Sequence, residues 1–415
     1  MRFAHRIPRL SRPFFRAGLI NAAGSAVLLG AVLPFVAVMA RRQGASPELL
    51  SLLSMAPFFG LLAAGPLSRL AYRYHWGRLQ AGYHILGRAF LLGFAVVGGP
   101  VGIVVLMIGF HVMRGGTALM FSSLLHAHVR HPARASLLKW LKIGPFLCAL
   151  PVAWAAGRVL DDSPDAFRIV FPLAGLIAAA TAVPYLRLPR RVRETGMIKK
   201  APGILQELAV VRRDKRFLAF LSVYFIGTLA EKIGMPIRPI LFADVLNMRY
   251  ADVALALGIA GPALAVAGYV LWGRLLRRVN PLHVVAATML LKGIRPVLWA
   301  LAAGMENGVP LVVAGQAWFQ FMIAGMDMAS TLTVLHMCGA RNAPLYAGAH
   351  YWFMGLRGII GPFIGLALYR ANIGVVAIWW LIAGLVFAGG LGLIAFAVAT
   401  RTQPASDSTQ SIDGQ

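Results

Sequence analysis

The sequence is short of charge. Only 13% of its 415 residues are charged and 59% are apolar, whereas a soluble domain carries roughly 25% charged residues. A water-soluble chain of this length has more surface than so few charges can cover. Cysteine is scarce too. Cys148 and Cys338 both lie inside apolar runs, so they offer neither a disulfide framework nor metal-ligand spacing, and they read as small buried hydrophobes. A glycine loop ending in Lys-Ser/Thr is missing, which argues against ATP-driven work. So are zinc-ligand spacing and a nucleophile elbow. The chain therefore reads as a non-enzyme with no metal and no cofactor.

Basic residues and long apolar runs are what the sequence does have. The net charge is +26, but the Lys and Arg residues are neither on one amphipathic face nor interleaved with stacking aromatics, so a nucleic-acid partner is not expected. They fall in short clusters between runs long enough to cross a bilayer, about 20 residues each. Twelve such segments are predicted: 14–40, 49–70, 79–99, 101–126, 137–160, 167–186, 217–242, 250–273, 283–303, 309–337, 345–370 and 374–399. The third and fourth are divided only by Gly98-Gly99-Pro100. The fold class expected is all-α, an integral membrane protein whose partner is the lipid bilayer.

Loop charge orients the segments. Arg2, Arg6, Arg9, Arg12 and Arg16 precede the first, and Arg69, Arg73 and Arg78 follow the second. Arg130 and Arg134 follow the fourth, and Arg274, Arg277 and Arg278 the eighth. The alternate loops hold Asp161, Asp162, Asp165 and Glu306 instead. Positive loops stay inside, so both termini are expected in the cytoplasm and the protein in a cell (plasma or inner) membrane. The connection Arg187–Arg216, with ten Lys or Arg, divides the chain in two. The expected organisation is a six-helix bundle at 1–186, a basic central loop at 187–216, a second bundle at 217–400 and a disordered tail at 401–415. Within the loop, 203–211 could form a short amphipathic surface helix.

The halves echo each other. Arg130-His-Pro-Ala-Arg134 and Lys142-Ile-Gly-Pro-Phe146 have a counterpart in Arg341 and Arg357-Gly-Ile-Ile-Gly-Pro-Phe363, and Gly87-Arg88 in Gly293-Ile-Arg295. Weak repeats of this kind occur in transporters built from two related halves. Over nearly its whole length the chain resembles the major facilitator superfamily of secondary transporters. Trp272-Gly-Arg-Leu-Leu-Arg277-Arg278-Val-Asn-Pro281 is similar to the family's loop signature after the eighth helix. Gly65-Pro-Leu-Ser-Arg69 with Gly77-Arg78 is a looser version after the second, and Arg114-Gly-Gly resembles its arginine motif in the fourth. The resemblance implies a gating role for Arg69, Arg78, Gly273, Arg277 and Arg278. The Asp usual in that signature is replaced here by Arg69 and Arg277. The antiporter motif of the fifth helix is reduced to Gly144-Pro145, and Gly361-Pro-Phe-Ile-Gly365 in the eleventh segment is closer to it.

Ionisable side chains inside the apolar runs cost enough to mark function or a fixed partner. Glu231 and Lys232 sit beside Gly234, Pro236 and Pro239 in the seventh segment, where the helix can open locally. An ion pair of Glu231 with Lys232 or Arg114 is the structural alternative. Gln316, Gln320 and Asp327 form one stripe on the tenth segment, and Asp327 has Arg357 or Lys292 as alternative partners. His111 and Arg114, His350 and Arg357, Lys292 and Arg295, and His84 and Arg88 also share faces. The resemblance implies a supporting role for Arg88, Lys292 and Arg295, on its third and ninth helices, and a packing role is expected for Tyr351-Trp352-Phe353. Within the runs Arg114, Lys232, Lys292, Arg295 and Arg357 outnumber Glu231 and Asp327, which points to an anionic partner.

The expected function is thus secondary active transport of a small solute by a monomer of two pseudo-symmetric six-helix bundles, a symporter or antiporter working by alternating access. The solute would be an organic anion held by Arg114, Lys232 and Arg357, with Gln320 nearby and a proton on Glu231 or Asp327. A proton-driven multidrug-type exporter and a non-transporting lipid-handling or sensor protein are the alternatives.

Overall fold

The computed structural model describes residues 11–68, 70, 74–129, 131–189, 212 and 214–401. Arg69, nearly all of the central loop with its expected amphipathic helix, and the tail after Arg401 lie outside the described residues. Every regular element among the described residues is helical. Spanning helices are the expected solution, because backbone groups in hydrocarbon must be satisfied within the segment.

The first half holds α1 (Arg12–Ala31), α2 (Val36–Arg42), α3 (Pro47–Ser68), α4 (Trp76–Ala89), α5 (Pro100–His128), α6 (His131–Asp162) and α7 (Phe167–Ala180). Proline and glycine set several boundaries. Pro34 lies in the turn joining α1 to α2, and Gly44, at φ 86°, precedes α3. The predicted break at Gly98-Gly99-Pro100 is where α5 begins, with Pro100 in its first turn. The second half holds α8 (Lys215–Ile233), α9 (Ile237–Ile240), α10 (Tyr250–Val253), α11 (Gly261–Leu275), α12 (Pro281–Lys292), α13 (Ile294–Ala303), α14 (Val309–Arg370) and α15 (Val375–Arg401). Asp214 caps α8 by accepting from the Phe217 amide at 2.9 Å, and Asn280 caps α12 through the Leu282 amide at 2.9 Å, as small polar N-cap residues do. Stretches of π-helix follow α9 at Leu241–Val245 and α10 at Ala254–Ala260.

Among the described residues, eleven helical stretches are long and apolar enough to cross a membrane. The third predicted segment is not among them. It is α4 with its 3₁₀ extension Phe90–Ala95, and it carries Arg78, Gln80, His84 and Arg88. Gln80 and Arg88 are turned inward, 1% and 3% exposed. The chain is an all-helical multi-pass membrane protein.

The tenth and eleventh predicted segments fall in one helical span, α14, of 62 residues. A straight helix of that length would be about 93 Å long, three times the hydrocarbon thickness. Instead α14 doubles back. Val334 and Tyr346 pack in the same apolar cluster. Val312, near its start, accepts from the Trp299 indole at 3.1 Å, and Trp299 in turn packs on Phe242, while Arg370, its last residue, reaches Glu48. The predicted loop at 338–344 is therefore a tight reversal within the span of α14, at Pro344, which has no amide hydrogen to donate. Cys148 is also a correction: it is exposed on α6 rather than buried.

The two halves meet at the face that carries the acidic loops. Arg41 pairs with Asp244 at 2.6 Å, and Arg42 lies 4.2 Å from the centre of the Tyr250 ring. Asp161 accepts from the backbone amides of Tyr250 and Ala251 at 2.6 and 2.8 Å. Glu48 accepts from Arg370 at 2.5 Å. Beneath these contacts one apolar cluster joins Val32, Phe35 and Val36 to Ile237, Ile240 and Val253. At the opposite face each half has its own core: Phe14, Trp76, Leu124 and Tyr185 in one, Phe217, Leu282, Val334 and Leu393 in the other.

Candidate functional site

The charged stretch of α8 is where four helices converge. Gly361 and Gly365 let the returning limb of α14 approach α8 closely. A Cβ on Gly361 would lie 2.3 Å from Lys232 Cβ, and one on Gly365 would lie 2.2 Å from the Ile233 carbonyl. Small residues of this kind allow backbones to touch in membrane bundles. The Gly-Pro-Phe-Ile-Gly motif of α14 is thus a packing seam that positions the site.

At this seam Glu231 is ion-paired with Lys292 of α12, and both side chains are buried. Lys232 lies beside it with its ammonium 5.2 Å from the Phe58 ring of α3, which brings the first half to the site. Arg295 on α13 is held between two rings, 3.5 Å from the centre of Phe319 and 5.0 Å from that of Trp299. Arg357, 5% exposed, donates to the Thr228 hydroxyl and lies 5.2 Å from the Tyr224 ring. His350, two helical turns earlier on the same face, packs on that ring at 5.3 Å. The Nε atoms of Arg295 and Arg357 are buried without a hydrogen-bond partner among the described residues.

The sequence-predicted residues separate into groups. Glu231, Lys232 and Arg357 come together around Lys292 and Arg295. Glu231 pairs with Lys292, not with Lys232 or Arg114 as the sequence alternative had it. Asp327 is exposed on α14 and accepts from the Tyr269 hydroxyl at 3.3 Å. Gln320 is half-buried where α14 meets Gly261 of α11, and Gln316 is buried beside it. Arg114 belongs elsewhere: it lines a cavity of the first half with Arg88 and His84. Of the loop residues, Arg78, Arg277 and Arg278 are exposed, Gly273 lies near Met328, and Arg69 falls outside the described residues.

Comparison with solved structures agrees with this architecture. A point mutant of the nucleoside transporter NupG superposes with TM-score 0.73 at 12% identity over 94% of this chain and 100% of that one. A POT family transporter in complex with a thioalcohol-conjugated peptide gives TM-score 0.70 at 13% identity over 95% and 97%. The chain has the major facilitator fold. No protein-family model and no curated protein matches it.

Several site residues of this facilitator-fold protein were not singled out by sequence reasoning. Thr228 and Tyr224 lie one and two helical turns before Lys232, a spacing that places them on the same face. Arg238 lies half-buried between Pro236 and Pro239. An arginine inside an apolar run is itself a signal. Phe58 and Phe319 carried none, because an aromatic residue in a spanning helix is ordinary until a cation is seen above it.

Proposed function

We propose that the protein is a secondary transporter of a small organic anion, which binds among α8, α12, α13 and α14 and passes between the faces as the halves rock. One observation carries this reading. Lys232, Lys292, Arg295 and Arg357 gather round Glu231, and Glu231 pairs with only one of them. Each buried cation loses several kcal/mol of hydration. A ring face returns about 0.5–2 kcal/mol, which leaves the cluster short of negative charge. An anion that enters supplies it.

The same cluster supports proton coupling. A solute carboxylate or phosphate competes with Glu231 for Lys292, and a Glu231 released from Lys292 inside low dielectric takes up a proton. Asp327, which is exposed, would exchange protons with water. With the basic loops inside the cell, the joined face would be the outer one, and the face where each half keeps its own core would be the cytoplasmic one. The neighbours of this fold are a nucleoside and a peptide transporter, which supports transport by analogy of fold.

Uptake into proteoliposomes tests the reading, with labelled mono- and dicarboxylates and nucleoside monophosphates set against nucleosides, dipeptides and lipophilic cations. One anionic class should accumulate, and Lys232→Gln or Arg357→Gln should cut its uptake by about tenfold or more. Accumulation only of uncharged solutes or lipophilic cations would overturn the anion assignment. No accumulation of any class would favour a non-transporting role.

A further inference from the structure

The first half contains a second cationic site, built independently of the cluster on α8. A cavity of about 110 Å³ lies among α1, α4 and α5, and its polar lining is Ser25, Tyr83, His84, Arg88, Arg114 and Thr117. No lining residue is acidic. The only carboxylates of residues 1–186 are Glu48, Asp161, Asp162 and Asp165. Glu48 and Asp161 make the contacts between the halves at the joined face, and Asp162 and Asp165 belong to the same acidic loop. None of the carboxylates of this half thus lines the cavity that Arg88 and Arg114 share.

The surrounding contacts show why the cavity lacks charge balance. Arg88 is 3% exposed. It donates to the Ala178 carbonyl, to Thr181 Oγ1 at 3.4 Å and to Ser25 Oγ at 3.2 Å, all neutral acceptors. These fix the guanidinium without cancelling its charge. His84 Nε2 lies 3.0 Å from the Gln80 amide and 3.4 Å from that of Asn21. Arg114 lines the same space from α5 and is exposed to it, and no ion pair holds it among the described residues. Two arginines with a shared cavity, hydroxyls at its wall and no carboxylate are suited to a planar or tetrahedral oxyanion, which guanidinium binds in bidentate geometry.

We propose that this cavity binds a compact oxyanion, either free or as the terminal carboxylate, sulfate or phosphate group of a larger molecule. The proposal does not rest on the transport reading. Arg114 would take the oxyanion directly, and Arg88, held by α1 and α7, would supply the fixed field behind it.

The test is thermal unfolding of the purified full-length protein titrated with sodium phosphate, sulfate or acetate against chloride at constant ionic strength. A folded-state ligand raises Tm saturably. One of the three oxyanions should do so, with at least about tenfold weaker apparent affinity in Arg114→Gln. Leu29→Phe, which fills the cavity without touching a charge, should weaken it likewise. Lys232→Gln should leave it unchanged, which separates this site from the α8 cluster. A saturable shift retained in both Arg114→Gln and Leu29→Phe, or lost in Lys232→Gln alone, would overturn the proposal. So would no shift in the unsubstituted protein with any of the oxyanions or with benzoate, phenyl sulfate and phenyl phosphate, which carry the same groups on a larger body. If the shift appears only with an organic anion bearing the same group, the oxyanion is the end of a larger solute.

Discussion

Lys292 on α12 and Glu231 on α8 form an ion pair whose side chains are 1% and 8% exposed. It is the one buried pair among the ion pairs of the described residues; the other four, such as Arg41 with Asp244, have partners open to solvent. Its energetics are therefore set by desolvation rather than by screening.

Removing one partner of that pair should be costly. Lys292→Met strands the Glu231 carboxylate, and Glu231→Gln adds to a cation excess. Each should lower stability by about 3–5 kcal/mol. The double variant should recover much of the loss. Denaturant or thermal unfolding in detergent of the four proteins in the cycle measures it, and strictly additive losses would show that the contact is not an energetic unit.

The glycine seam makes a steric prediction. Gly365→Val places carbon atoms where the Ile233 carbonyl already lies. Overpacking of this kind costs about 1–3 kcal/mol, so Tm should fall. Gly374→Ala, where an added Cβ meets nothing, serves as control and should leave Tm within about a degree of the parent, since surface changes are worth about 0.5 kcal/mol or less. Equal effects at the two positions would remove the seam from the account.

At the joined face, Arg41→Ala with Asp244→Ala should loosen the contact between the halves. An exposed pair is worth about 0–1 kcal/mol, so opening should become at most about fivefold more frequent. The readout is labelling of Ala254→Cys, which sits in the apolar cluster at 1% exposure, by a membrane-impermeant maleimide in a background lacking Cys148 and Cys338. Unchanged labelling would mean that the apolar cluster alone keeps this face shut.

Asp327 carries a further prediction. It is exposed and bonded to the Tyr269 hydroxyl, so Asp327→Asn should fold normally. If Glu231 is the coupling carboxylate, Glu231→Gln should abolish proton-driven accumulation while Asp327→Asn keeps at least half of it. Proton flux measured beside solute flux in proteoliposomes separates the two, and the reverse pattern would transfer the coupling role to Asp327.

The spans were legible in the sequence because a bilayer writes itself into hydropathy at a fixed length. Even the weak division at Gly98-Gly99-Pro100 marks a real helix start. The turn inside α14 was legible only as a break in hydropathy. That the chain turns there without a separate loop element depends on packing that composition does not encode. The charged residues of the site were visible one by one, because each is conspicuous in an apolar run. Their grouping was not. Glu231 pairs with Lys292 and Arg114 sits with Arg88, and both pairings follow from which helices adjoin. Local spacing is silent on that.

The contacts at the joined face give the empty protein a direction. Parting the halves there would bring Phe35, Ile237 and their neighbours into water and break the caps that Asp161 places on α10. On the proposed transport role nothing repays that work without a solute, so the unloaded molecule would wait with that face shut. If the proposed transporter opens to the basic side in this state, a solute arriving from that side meets the site by diffusion alone. One arriving from the acidic side has to wait for a thermal opening. Entry from the two sides should therefore obey different rate laws: linear in concentration from the first, and limited by a concentration-independent step from the second.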